Sequence, residues 1–155
     1  MDGLTHLDDE GGARMIDVGG KAATDRKAIA EAIILLAAET RKALFSGRLP
    51  KGDAVAVARV AAIQGVKRTS DLVPLCHPIP LTGVDVEIAE TINGARIQVT
   101  VRTTAPTGVE MEAMTGAALG AITIYDMVKG IDRGAEIGPV RLLAKSGGRS
   151  GEWSR

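Results

Sequence analysis

Residues 83–104 read GVDVEIAETINGARIQVTVRTT, two runs of alternating apolar and polar residues on either side of Asn93-Gly94. Alternation with period two is what a half-buried strand requires. Asn-Gly between two such runs signals a two-residue type I′ hairpin. Setting Ile92 opposite Ala95 places Val84 against Thr103, Val86 against Val101 and Ile88 against Val99 on one face. The other face then pairs Asp85 with Arg102, a favourable cross-strand charge pair. One register satisfies both faces, so an antiparallel hairpin anchors the reading.

Downstream, Gly108–Gly130 (GVEMEAMTGAALGAITIYDMVKG) has helical periodicity. At about 100° per residue, Met111, Met114, Ala118, Ala121, Ile122, Tyr125 and Val128 share an apolar arc, with Glu112, Gly116, Thr123 and Asp126 on another. Val140–Lys145 (VRLLAK) reads as a closing strand. Upstream, Asp71–Pro80 holds three prolines and is expected to be rigid and irregular. Asp53–Lys67 is ambiguous between strand and helix; its length and alanine content favour helix. Thr24–Ser46 reads as one long helix, with Thr24 as N-cap, Asp25 in the first turn, Gly47 as C-cap, and Ile29, Ile33, Leu36 and Leu44 as its stripe. Arg14–Val18 is expected to be a short strand, broken by Gly19-Gly20, and residues 1–12 a loose polar arm. Strand, two helices, hairpin, helix, strand implies an α+β fold: a ferredoxin-like antiparallel sheet with helices packed on one face, as one domain over residues 1–155.

Composition narrows the function classes. Nineteen basic and nineteen acidic residues cancel, which implies no general affinity for nucleic acid or anionic membranes. Phe45, Tyr125 and Trp153 are the only aromatics, so the core must be aliphatic, and the scarcity argues against a base-stacking platform for single strands. Cys76 is the only cysteine, so no intramolecular disulfide forms. No apolar run approaches a membrane span and the N-terminus lacks a signal pattern, so the expected compartment is the cytoplasm.

Several charged positions invite a chemical reading. Lys129 lies about 60° from Asp126 and close to the apolar arc. It is either a snorkelling lysine in a last helical turn or a partly desolvated one whose lowered pKa suits proton transfer. Residues 146–155 form a glycine-rich basic C-terminal loop beginning SGGRSG, in which free backbone amides, Lys145 and Arg149 could cradle an anion. A flexible basic tail is the bland reading. Leu75-Cys76-His77-Pro78 places a thiol and an imidazole in a stiffened loop, but neighbours on an extended segment point opposite ways and rarely form one dyad. With one cysteine and two histidines, no structural or redox metal is expected. Lys51 precedes a helix whose dipole disfavours a cation, a cost an anionic ligand would offset. Asp17, Lys21 and Arg26 add charge near the first turn.

The motifs LTH near the start, KGDAVAVARVAAIQGVKRTSDLVPLCHP, TGVEMEAMTGAALGAITIYDMVKG and IGPVRLLAKSGGRSG span Leu4–Gly151. In these the chain resembles the cyclic pyranopterin monophosphate synthase family, the accessory protein C of molybdenum cofactor biosynthesis. The resemblance implies a hexamer built as a trimer of dimers, with active sites at dimer interfaces. It implies conversion of a cyclised dihydro-GTP intermediate into cyclic pyranopterin monophosphate with release of pyrophosphate. By motif, Asp126 looks like the family's active-site acid, and Lys51 and Lys129 resemble its catalytic lysines. Leu75, Cys76, His77, Met111 and Glu112 look like substrate contacts; Asp17, Arg26, His77 and Lys145 resemble pocket residues. A triphosphate needs cations, which Lys21, Arg26, Lys67, Lys145 and Arg149 could supply, with Mg²⁺ admitted only as a companion of the substrate. The alternatives are a non-catalytic, nucleotide-sensing oligomer of the same fold and a purely structural oligomer.

Overall fold

The computed structural model describes residues 6–155. Leu4 and Thr5 of the LTH motif, and the first five residues of the N-terminal arm, lie outside the described residues. The elements run β1 (Thr24–Leu35), α1 (Ala38–Phe45), α2 (Ala54–Lys67), α3 (Thr69–Leu72), β2 (Leu81–Thr91), β3 (Gly94–Ala105), α4 (Glu110–Val128), β4 (Glu136–Ser146) and β5 (Trp153–Ser154). The sheet is antiparallel throughout, in the order β2-β3-β1-β4-β5. Its first four strands have ferredoxin-like topology, with helices α2 and α4 resting on one face.

The first element corrects the sequence reading. Residues 24–35 form the central strand, and only Ala38–Phe45 is helical. Ile29 and Ile33 are four apart, a spacing that satisfies both the helical and the strand period. The discriminating residues are Ala28, Ala30, Ala32 and Ile34, which alternate into the core. Gly47, at φ +68°, does follow α1 in the left-handed conformation expected beyond a helix end. Arg14–Val18 forms no strand; only Ala13 bridges Leu7, beside a turn in which Asp8 Oδ1 accepts from the amides of Glu10 and Gly12. Residues 54–67 are helical as expected, capped by Asp53, whose carboxylate accepts from the Ala56 amide at 3.0 Å. The strand read at Val140–Lys145 extends to Glu136–Ser146, because a register shift opposite residues 32–34 accommodates Gly138-Pro139.

The hairpin is present, but its register is displaced by two residues. Ile88 faces Ile97, Val86 faces Val99, Val84 faces Val101, and the connecting pair is Ile92-Asn93. Asn93 has no positive φ, so the turn is not type I′. A slip of two preserves the face of every side chain, so alternation alone could not detect it. Tertiary packing sets the register instead: Gly94 opens β3 against Leu35, and any Cβ there would collide with the Ile34 carbonyl. Asp85 still meets Arg102 across the diagonal, at 2.5 Å.

Core rows cross the sheet as Val84–Val101–Ala28, Val86–Val99–Ala30 and Ile88–Ile97–Ala32. Alanines on β1 leave room for α4 to approach, and α4 turns Ala113, Gly116, Ala117, Gly120, Ala121, Ile124 and Val128 inward. This corrects the expected arc, since Met111 and Ile122 are exposed while Gly116 and Glu112 are buried. Side-chain size misled the assignment: a close helix–sheet contact selects small residues. No helix among the described residues is long and apolar enough to cross a membrane.

Candidate active site

Two clusters occupy the two ends of α4. At its C-terminal end, Asp126 carries a carboxylate where the helix dipole disfavours it. Two lysines from different segments answer that charge. Lys129 Nζ lies 2.7 Å from Asp126 Oδ1. Lys51, from the loop before α2, donates to Asp126 Oδ2 at 3.1 Å and to the Asp126 carbonyl at 2.7 Å. The second bond satisfies one of the carbonyls a helix end leaves without an intrahelical partner. The structure thus brings Lys51, Asp126 and Lys129 together, although 75 residues separate Lys51 from Asp126. Hydrogen bonds from Lys129 and then Lys51, reinforced by their charges, hold the Asp126 carboxyl below the usual carboxylate range. The same bond and charge push Lys129 above the usual lysine range. Of the two readings of Lys129, this removes the desolvated, weakly basic one: its side chain is 53% exposed in this chain. Asp126 is an anion and Lys129 a cation at neutral pH.

At the N-terminal end of α4, a cavity of about 270 Å³ gathers Leu75, Cys76, His77, Met111, Glu112 and Lys21. His77 Nε2 lies 2.8 Å from the Ile16 carbonyl. A carbonyl only accepts, so Nε2 carries a proton and, in the neutral ring, Nδ1 is left as an acceptor. The stretch around Ile16, expected to be a strand, is therefore used through its backbone to orient an imidazole. Glu112 is 4% exposed. Burial, then the nearby Glu110 charge, raises its pKa, against a partial lowering by a backbone hydrogen bond. Burial, followed by the Glu112 charge, likewise raises the Cys76 thiol. Both effects oppose a thiolate, so Cys76 is poorly suited to nucleophilic attack.

A neighbouring cavity of about 620 Å³ is lined by Lys21, Arg26, Arg149, Thr24, Thr107 and Ser150, with no carboxylate in its wall. Arg26 is braced by the carbonyls of Ala105 and Pro106, both at 3.0 Å. Gly147 and Gly148 sit at φ +93° and +73°. A side chain at Gly148 would overlap the Arg26 guanidinium, so glycine lets the loop backbone lie against this cation. Lys145 adjoins the loop, bonded to Glu110 at 3.0 Å and Ser150 at 2.9 Å.

Two candidates stand apart. Lys67 borders a separate hollow with Leu81 and Val84. Asp17 spends an oxygen on the Gly19 amide at 2.8 Å and is not among the residues lining the cavity. Sequence reasoning passed over Glu110 and Thr107, which the structure places in the walls. Their signal was membership of the TGVEMEA block, adjacent to the candidates that were named. Among the described residues, no three His, Cys, Asp or Glu side chains group in a way that could hold a metal ion.

The fold and its clusters define a ferredoxin-like α+β protein with a lysine-flanked carboxylate and a cationic cavity. The chain belongs to the MoaC family, whose model matches residues 15–148. It is 49% identical over 154 residues to a protein of Corynebacterium glutamicum (strain R) named cyclic pyranopterin monophosphate synthase, covering 99% of both chains. Proteins of the same name from Pelotomaculum thermopropionicum (50% over 157 residues; 100% of this chain and 92% of the relative) and Roseiflexus castenholzii (51% over 154 residues; 98% of each) are similarly close.

Proposed function

We propose that this chain catalyses the cyclic pyranopterin monophosphate synthase step of molybdenum cofactor biosynthesis, taking a cyclised dihydro-GTP intermediate to the cyclic monophosphate and releasing pyrophosphate. The observation that carries the reading is the convergence of Lys51 and Lys129 on Asp126. Rearranging a purine-derived ring demands several proton transfers, and an ionised carboxylate between two ammonium groups supplies an oriented donor pair and an acceptor. The carboxylate-free cavity of Lys21, Arg26 and Arg149 receives the triphosphate and stabilises the charge that develops on the leaving pyrophosphate. His77, Met111 and Glu112 contact the ring system. A divalent cation there would be held through phosphate oxygens rather than by this wall, so Mg²⁺ enters only with the substrate. The substrate is a small molecule of the cytoplasm, and neither nucleic acid nor membrane is a partner.

The two clusters belong to one reaction only if a second copy completes the site. Met111 and Asp126 are fifteen residues apart on one helix, about 22 Å at 1.5 Å per residue. A two-fold axis across the middle of α4 exchanges its ends, bringing Lys51, Asp126 and Lys129 of one copy to the Leu75–His77 cavity of the other. Val57 and Val60 of α2 and Ile122 of α4 are exposed between the clusters, apolar surface of the kind such a contact covers. Three such pairs make the hexamer. Incubating the protein with the cyclised intermediate and assaying pyrophosphate tests the activity directly. Binding of the intermediate without any pyrophosphate would favour a nucleotide sensor instead.

A further inference from the structure

Glu110 has no part in the reading above, yet its carboxylate holds Lys145, one of the cations expected to serve the triphosphate. As the first residue of α4 it folds back over Gly108, where any Cβ would overlap its carboxylate, and lies 3.0 Å from Lys145 Nζ. The pair is well shielded, with side-chain exposures of 29% for Glu110 and 26% for Lys145. Lys145 Nζ also donates to Ser150 Oγ at 2.9 Å. One ammonium therefore ties the first turn of α4 to the end of β4 and to the glycine loop. Glu110 faces the cavity of Cys76 and His77, and Ser150 faces the cavity of Arg26 and Arg149. The ion pair thus stands between the two.

We propose that Glu110 is an internal competitor for phosphate: it holds Lys145 while the site is empty, yields it when a phosphate oxygen arrives, and retakes it as pyrophosphate leaves. The proposal rests on assigning the cationic cavity to the triphosphate, and adds a residue that governs product release there. The released carboxylate is not stranded, because it remains beside the unpaired amides at the start of α4, where the helix dipole favours an anion. A tethered competitor lowers affinity for every polyphosphate that needs Lys145, substrate and product alike. It therefore sacrifices uniform binding and keeps the product from trapping the enzyme.

Calorimetric titration of the intact oligomer with inorganic pyrophosphate and triphosphate tests this. Glu110→Gln removes the charge, and Glu110→Asp keeps it but shortens its reach; both are expected to bind pyrophosphate about tenfold more tightly than the unmodified chain. Product inhibition of Glu110→Gln should strengthen by a similar factor. In the Lys145→Ala background the same Glu110→Gln change should bring no gain, because the contested cation is gone. Unchanged or weaker pyrophosphate binding by both folded variants overturns the competitor role. Failure of the unmodified chain, the Glu110 variants and an Arg26→Ala variant to differ in any polyphosphate binding overturns the assignment of the cavity itself. The two failures are thereby distinguished.

Discussion

Asp126 occupies a poor position for a structural carboxylate, at the negative end of a helix dipole and more than half exposed. Lys51 and Lys129 compensate it locally, and their pull on its pKa keeps it ionised below the range in which ordinary carboxylates protonate. Asp126→Asn is expected to leave circular dichroism and oligomer mass intact while lowering single-turnover rates at saturating intermediate by at least about a hundredfold. Lys51→Ala should do the same from a separate segment. Asp126→Asn combined with Lys129→Ala should lose less than the product of the single losses, since groups acting as a unit are not additive. A near-normal rate for Asp126→Asn would remove it from the catalytic set. Glu112 is the opposite case, a carboxyl whose pKa is raised chiefly by burial. The folded state therefore holds its proton longer than the unfolded chain does. Its favourable contribution is complete below the unfolded pKa and disappears as pH rises through the folded one. Denaturant melts across pH should show Glu112→Gln gaining stability relative to the unmodified chain above the ordinary carboxylate range, and converging with it in acid. A stability difference independent of pH would contradict this. Helical spacing puts Asp126 and Lys129 one turn apart, but closeness to the apolar arc alone cannot decide between a snorkelling and a desolvated lysine; the Asp126 contact decides it by pushing the lysine pKa up. Motif resemblance grouped them with Lys51; the contact itself is a fact of tertiary structure.

Among the elements, those whose pattern has one physical meaning were legible. The hairpin strands and α4 each show a periodicity that only one secondary structure satisfies over their length, and α2, whose alternation also fits a strand, is decided by its length and alanine content. β1 failed because alanine, lysine and glutamate favour helix locally, while the central position in the sheet overrides that preference. The inward face of α4 failed because burial there follows closeness of approach rather than side-chain volume. The hairpin register failed because its determinant lies on another strand. Gly94 was read as a turn residue, whereas the structure uses its missing Cβ to let β3 pair against Ile34 and Leu35. Gly94→Ala should therefore lower stability by about 2 kcal/mol or more, as expected when backbone must move to relieve overlap. Gly130→Ala, at a position with open space and no positive φ, should be near neutral. Equal melting temperatures for the two variants would show that the close approach is dispensable.

At the scale of the whole molecule, the decisive quantity is the length of α4. A helix of nineteen residues separates its end groups too far for one substrate to touch both. The sequence held the members of both clusters, but their separation only becomes apparent once the helix is straight and placed on the sheet. The small-residue surface of α4, Gly116, Ala117, Gly120 and Ala121, is consumed inside the chain by β1, β3 and α2. The oligomer proposed above would therefore use other surface, and exposed Val57, Val60 and Ile122 offer it. If each site draws Lys51, Asp126 and Lys129 from one copy and the Leu75–His77 cavity with its adjoining cations from another, two inactive variants should rescue each other. Asp126→Asn spoils the first half and Arg26→Ala the second. In a mixed pair, one site inherits both defects and the other inherits neither. Random co-assembly at equal amounts makes half the pairs mixed, with one intact site in two, so pyrophosphate release should recover to about a quarter of the unmodified rate. Each variant alone should stay at its own low rate. Co-expression with two affinity tags isolates the mixed oligomers, and their failure to exceed the parent variants would confine each site to a single chain.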